Sequence, residues 1–380
     1  MRFRLAILLA VFAAVALVGA LVEQHRTSSS TPGTTTTTKP KPDPNRVVIH
    51  RGPLQGALLI ADRGNDRIIL VDPNRRTLWH FPTAPDQARG IHLVYDDDTF
   101  VQPGGKALVT NEEDNGDILS INIKTHRVTN LFGVTGEQAG TSGAYAGDPA
   151  THLNWPDDAY VLPDGTMTVA DAYRCRIIFV RHRHIVSQIG QTDVCAHNPP
   201  KTIGWVNGDT PLANGGVLVS EINGSWIDAF TRSGKLLYAF QAPVAYPSDP
   251  QPLSGGRILL ADYAYPGSVL IVDHHGHTLW KYGPASGWGE LNHPSLAIML
   301  PNGDIAVNDD YNDRIVIIDP KKNAIVWHYG HLLTPGTSRN YLNTPDGMDY
   351  VPLGPHEKPL WQLVQHPCPA KGALAACPPA

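Results

Sequence analysis

The chain is built from short apolar runs, mostly four to six residues long, set between clusters of Gly, Pro, Asn and Asp. Runs of that length bounded by turn residues predict strands rather than helices. One order recurs. A Pro-led strand runs to a Gly turn, a second strand ends on an acidic or amide residue, a polar turn follows, and two more strands close the unit, often on Trp. The plainest copies are Pro156 to Gly165 with Thr168–Asp171 and Arg176–Val180, and Pro294 to Gly303 with Ile305–Asp309 and Arg314–Asp319. Tyr246-Pro247-Ser248 opens another, containing Ile258–Asp262 and Val269–Asp273. Looser copies run from Asp97 through Asn111 to Ile123, and from Asn207 through Glu221 to Phe240. The second strands end at Asp62, Asn111, Asp171, Glu221, Asp262 and Asp309, at spacings of 49, 60, 50, 41 and 47.

Each unit holds four strands and leaves no room for a crossover helix. Strands apolar on both faces need sheets stacked on neighbouring sheets, and radial repetition of four-stranded antiparallel sheets supplies that. Six markers therefore predict an all-β, six-bladed β-propeller over residues 47–352. The first marker unit, Ala57–Asp62, has no Pro-led strand before it, and Asn343–Val351 is a Pro-led strand with no unit after it. The carboxy-terminal strand should then lie innermost in the first blade, closing the ring without an exposed edge.

At Ile60-Ala61-Asp62-Arg63-Gly64-Asn65-Asp66-Arg67-Ile68 and at Asn308 to Ile315 the chain resembles NHL-repeat propellers of exported bacterial type. Ala146-Gly147-Asp148-Pro149-Ala150-Thr151-His152-Leu153-Asn154-Trp155-Pro156 is similar to the loop that precedes a blade in such proteins, and Leu-Asn-x-Pro returns at 291–294 and 342–345. The resemblance covers roughly residues 56–352 and departs most at Glu112 to Asp117 and Glu221 to Ser225. It implies a sensor or adhesion module, with a few relatives that are lyases or hydrolases, and so bears on shape more than on activity.

The amino end reads as an address. Arg2 and Arg4 precede an uncharged apolar run, Leu5–Val22, so residues 1–22 are expected to form one hydrophobic helix, either a signal anchor or a cleaved signal peptide. Residues 23–46 form a Thr/Ser/Pro-rich linker too poor in apolar surface to order itself. The expectation is a single-pass membrane protein with its propeller outside the cytoplasm, or a secreted one after cleavage. Four cysteines in an exported chain read as disulfides, Cys175–Cys195 across one hairpin and Cys368–Cys377 within a Pro/Ala-rich tail at 353–380. Net charge is −5, and the first 46 residues hold six Lys/Arg against two Asp/Glu, so the body is acidic. An acidic body without a basic cluster argues against nucleic acid as a partner.

Just past each strand-opening position stand Asp97, Asp157, Asn207, Ser248, Ser295 and Asp346, which should ring one mouth of the central channel. One position before stand Trp155, Tyr246 and His293, with Tyr95, Trp205 and Thr344 at approximate equivalents. Oxygens that orient and flat rings that stack suit an envelope carbohydrate or a protein ligand; the same oxygens suit calcium. Turn-capping and wedge packing between blades explain these residues structurally. The repeated Asp62/Arg67 and Asp309/Arg314 pairs read as turn clamps, because a catalytic group is needed once and a clamp in every blade. Trp79, Trp280 and Trp327, at one point of the last strand, read as packing residues. The His-rich stretches at 181–184 and 274–277 fall on outer turns. No Ser-His-Asp, HExxH, P-loop or dinucleotide motif is present. The first expectation is thus a non-catalytic binding module. The alternative is a calcium-dependent hydrolase or lyase at the channel mouth with His92 or His152 as base.

Overall fold

The computed structural model describes residues 43–137 and 147–367. Its described strands form six four-stranded antiparallel sheets, the six-bladed propeller expected. Blades two to six run consecutively from the first strands Asp96–Val101, Pro156–Val161, Val206–Pro211, Pro247–Pro252 and Pro294–Met299. Blade one takes its three outer strands, Ala57–Asp62, Arg67–Val71 and Thr77–Phe81, from the amino side and its inner strand, Met348–Val351, from the carboxy side. Leu58 lies opposite Tyr350 and Leu59 opposite Asp349, so the ring is closed by main-chain pairing. One short helix, Ala84–Gln87, sits between blades one and two. The apolar run at Leu5–Val22, the linker to residue 42, and Cys368 and Cys377 lie outside the described residues. Among the described residues no helix is long and apolar enough to cross a membrane.

Second and third strands of each blade are buried along most of their length, and their side chains pack against the flanking sheets. The residue ending the second strand then plays the same part in all six blades. Its carboxylate accepts a backbone N–H from the segment leading into the blade's inner strand: Asn343 to Asp62 at 2.7 Å, Asn154 to Asp171 at 2.7 Å, Asn292 to Asp309 at 2.7 Å, Val94 to Glu112 at 2.8 Å, Gly204 to Glu221 at 2.7 Å and Tyr246 to Asp262 at 3.1 Å. This accounts for Leu-Asn-x-Pro. The Asn supplies the N–H, and Leu153, Leu291 and Leu342 are fully buried beneath it. In blade two the clamp is Glu112, not Asn111. Asn111, one residue earlier, lies on the channel side, where its side-chain amide donates to Asp97 and to the Pro156 carbonyl of blade three.

The Asp…Arg pairs are clamps as expected. The Nε atoms of Arg67, Arg176 and Arg314 lie 2.6, 2.7 and 2.7 Å from Asp62, Asp171 and Asp309. Trp79, Trp280 and Trp327 do more than fill space. Each indole N–H donates to a carbonyl of the next blade, at Ile123, Pro320 and Pro73 respectively. Cys175 and Cys195 are bonded, with Cα atoms 5.2 Å apart. The described part of the tail belongs to the core: Leu353 and Val364 are buried against blades one and two, and Leu360 is fully buried with its N–H donating to the Pro352 carbonyl. Beyond them His366 reaches the far end of the channel, where its Nε2 lies 3.0 Å from Asp349. Burial opposes the charged imidazole there, but Asp349 and Asp158 outweigh it and hold His366 above its usual range.

Blade four lacks the clamp arginine. Trp226 stands in its place, and His197 stacks on that indole with ring centres 3.8 Å apart while approaching Glu221 at 3.1 Å. Asp228, buried beside Glu221, is pushed up to about 9 by burial and then by the neighbouring carboxylate. Held above its unfolded value, it binds a proton in the folded chain from about pH 4 to about pH 9, so it withdraws stability as pH rises through that window. Asp228→Asn should therefore melt above the wild type, with an advantage that grows from pH 5 to pH 8 to on the order of 2 kcal/mol. Thermal melts at several pH values check this; an advantage independent of pH would refute the buried-acid account.

Candidate functional site at the channel mouth

Five inner strands break register near their start, between Asp96 and Thr99, Pro156 and Asp158, Val206 and Asp209, Ser248 and Gln251, and Pro294 and Ala297. A bulge inserts a residue and re-aims its neighbours, which lets consecutive residues share the axial side. Asp97, Asp157, Asn207, Ser248, Ser295 and Asp346 accordingly all line one cavity of about 330 Å³. Trp155 and Tyr246 line it too, together with Tyr95. His293 stands just behind, 5.0 Å from the Tyr263 ring and 4.5 Å from Tyr311, and burial holds it below its usual range. Trp205 packs edge-on to Tyr173 at 5.1 Å without lining the cavity. Neither His92 nor His152 lines it; His152 meets Glu137 at 2.9 Å in the outer loop. Tyr95, Trp155, His293 and Thr344 share a left-handed backbone, with φ of 53°, 57°, 53° and 45°. Non-glycine residues adopt it at a cost of about 1 kcal/mol or more each, so the rim is held by its clamps and not by local preference.

The residues that change the character of the site come from the turn after each second strand. Arg63, Glu113, Tyr173, Tyr263 and Tyr311 project from these turns into the cavity; Tyr173 falls between Trp155 and Trp205, Tyr263 between Tyr246 and His293, and Tyr311 packs on His293. Reading the turns as clamps alone passed over them. The signal was positional: Arg63, Glu113, Ala172, Ile222, Tyr263 and Asp310 each follow the clamp acid, and placing the blade-two clamp at Asn111 hid Glu113.

Arg63 organises the floor. Its Nη1 lies 2.6 Å from Asp97 and also bonds Asp346, its Nη2 bonds Glu113, and its guanidinium sits 4.2 Å over the Tyr95 ring. Asp97 and Asp157 nonetheless stand well above the usual carboxylate range, because burial outweighs all else and the surrounding acids add to it. Glu113 is raised by burial against the pull of Arg63. Ser295 donates to Asp310 at 2.9 Å and Ser248 to Asn207 at 2.8 Å, so both hydroxyls are already oriented. Among the described residues seven carboxyl groups face one arginine, an arrangement that repels anions and offers acceptors to hydroxyl or ammonium groups between aromatic walls. Oxygens of Asp97, Glu113 and Asp157 lie within 4.8 Å of one another, yet the guanidinium bridging Asp97 and Glu113 already supplies positive charge there. A second carboxylate trio, Asp98, Asp158 and Asp249, lies one residue past Asp97, Asp157 and Ser248 on their inner strands.

No family model and no curated protein matches the chain. Among solved structures it is similar to a Bacteroides caccae protein of unknown function, with a TM-score of 0.52 at 15% identity over 77% of this chain and 97% of that one. It is similar to a chain of a nidogen/laminin complex, with a TM-score of 0.51 at 11% identity over the same shares, 77% and 97%. A Staphylococcus aureus virginiamycin B lyase aligns with a TM-score of 0.43 at 16% identity, over 63% and 71%. The likeness to the first two, at these identities, speaks for the propeller fold alone.

Proposed function

We propose that the protein is an NHL-like binding propeller, held outside the cytoplasm by its amino-terminal helix and Thr/Ser/Pro linker, that takes an envelope carbohydrate at the channel mouth. One observation carries the reading. The six inner-strand positions and the turn-borne tyrosines meet in a single acid-floored, aromatic-walled cavity on the axis. Sugar rings stack on Trp155, Tyr173 and Tyr246, and hydroxyls donate to Asp157, Asn207 and Asp346. The address rests on Arg2, Arg4, the Leu5–Val22 run and the stalk composition. Calcium-dependent hydrolysis or lysis at the same mouth is the rival. Binding is favoured because Arg63 already occupies the cationic position of the ring and, among the described residues, no histidine lines the cavity to move a proton.

Titration of the full chain with neutral and amino-sugar oligosaccharides, followed by tryptophan fluorescence, tests the reading. Saturable quenching is expected, with Trp155→Ala and Asp346→Asn each weakening binding about tenfold while the melting temperature of Trp155→Ala barely moves. Absence of binding across the panel would count against a carbohydrate ligand, and release of a cleaved sugar would turn the assignment to the enzyme.

A further inference from the structure

Below the mouth the inner strands of blades two, three and five place Asp98, Asp158 and Asp249 around the channel axis. All three side chains are buried, and one oxygen of each comes within 4.8 Å of the others. Their Oδ1 atoms have no hydrogen-bond partner among the described residues. The remaining oxygens are only partly used: Asp158 Oδ2 accepts the Asp209 N–H at 3.2 Å, and Asp249 Oδ2 accepts Ser248 at 3.4 Å. Space for the carboxylates is reserved by glycines of neighbouring blades. A Cβ on Gly347 would come within 2.3 Å of Asp98 Oδ1, and one on Gly208 within 2.8 Å of Asp249 Oδ1. Asp98 and Asp249 also line the mouth cavity, which gives the trio a route to solvent.

Among the described residues no cation is paired with the trio, and only the charge of His366 lowers one of its members, Asp158. Arg63, one layer above, is committed to Asp97, Asp346 and Glu113. His366, one layer below, is committed to Asp349. Around the trio Asp97, Asp157, Asp209, Asp346 and Glu113 are acidic and add repulsion, and the buried Tyr160 phenol brings no positive charge. Buried carboxyl groups at this separation can persist only by keeping protons or by sharing a cation.

We propose that Asp98, Asp158 and Asp249 form a calcium site inside the channel, distinct from the oxygen ring at the mouth. The donors are oxygen only, which selects a hard ion. Three carboxylates that bind through one or two oxygens, completed by water from the cavity above, suit the large and variable shell of calcium better than the strict octahedron of magnesium. The ion would tie blades two, three and five together across the axis and compensate the acid floor. This site does not depend on the carbohydrate reading, since none of its three carboxylates is a proposed sugar contact.

The test uses the full chain stripped with EDTA. Calorimetric titration with CaCl2 at pH 7.5 is expected to show one site per chain, with magnesium at least about tenfold weaker. The melting temperature should rise with each tenfold increase in calcium above Kd and fall again with chelator. Asp249→Asn should weaken calcium at least about tenfold. Trp155→Ala, which alters only the mouth, should keep it. A stripped wild-type chain that takes up no calcium, and whose melt is unmoved by about 5 mM calcium, would overturn the proposal, since such an excess fills any site of ordinary extracellular affinity. The three carboxyls would then be sharing protons.

Discussion

A chain that stops after Asn343 is expected to lose its cooperative melt altogether. The truncation removes Met348, Val351 and Leu360, all fully buried, and with them Leu353 and Val364, which pack against blades one and two. Burying five such side chains stabilises the fold by on the order of 10 kcal/mol, comparable to the whole stability of an ordinary domain. It also strips Ala57–Asp62 of its inner partner and leaves a long, buried, unpaired edge. The Asp62 clamp loses the strand that its bond from Asn343 positions. A matched chain ending at Pro367 should melt like the full protein. Circular dichroism melts and limited proteolysis separate the two. If both shortened chains melted alike, main-chain closure would not be what holds the ring.

Arg63→Ala should be the most damaging single substitution at the mouth. It leaves Asp97, Asp346 and Glu113 facing one another in a buried cavity without their shared cation. Breaking a buried ion pair from one side costs about 3–5 kcal/mol, because the remaining charge is stranded away from water with nothing to compensate it. The loss has a pH signature. Asp97 and Glu113 are already raised by burial, and removing the guanidinium raises them further. The folded chain then binds more protons than the unfolded one above about pH 4, so stability falls as pH rises. The deficit relative to wild type should be greatest near pH 8 and shrink toward pH 5. Arg63→Lys should recover part of it, since a single ammonium cannot fork to three carboxylates. Urea denaturation at pH 5 and pH 8 measures this; a deficit equal at both would mean that the missing packing against Tyr95, not charge, is responsible.

Much of the site was legible because the repeat makes position carry meaning. Asp97, Asp157, Asn207, Ser248, Ser295 and Asp346 occupy one register point in six copies, so any ring built from the copies brings them together. Arg63 and Glu113 escaped that logic because each occurs once at its turn position. A single-copy residue in a repeated turn looks like drift until its neighbours across the axis are known. His366 escaped for the opposite reason, since it lies beyond the last repeat and meets Asp349 only because the tail folds back over the channel.

Local pattern by itself determined the number of blades, the closing strand, the Cys175–Cys195 bond and the clamp role of the Asp/Arg pairs, since each follows from spacing along a chain of fixed geometry. Tertiary structure alone decided that Arg63 answers three acids from three segments, and that Asp98, Asp158 and Asp249 converge below them. Such meetings depend on how far each inner strand bulges and how the sheets tilt toward the axis. Those distances are set by packing between blades and have no period in the chain.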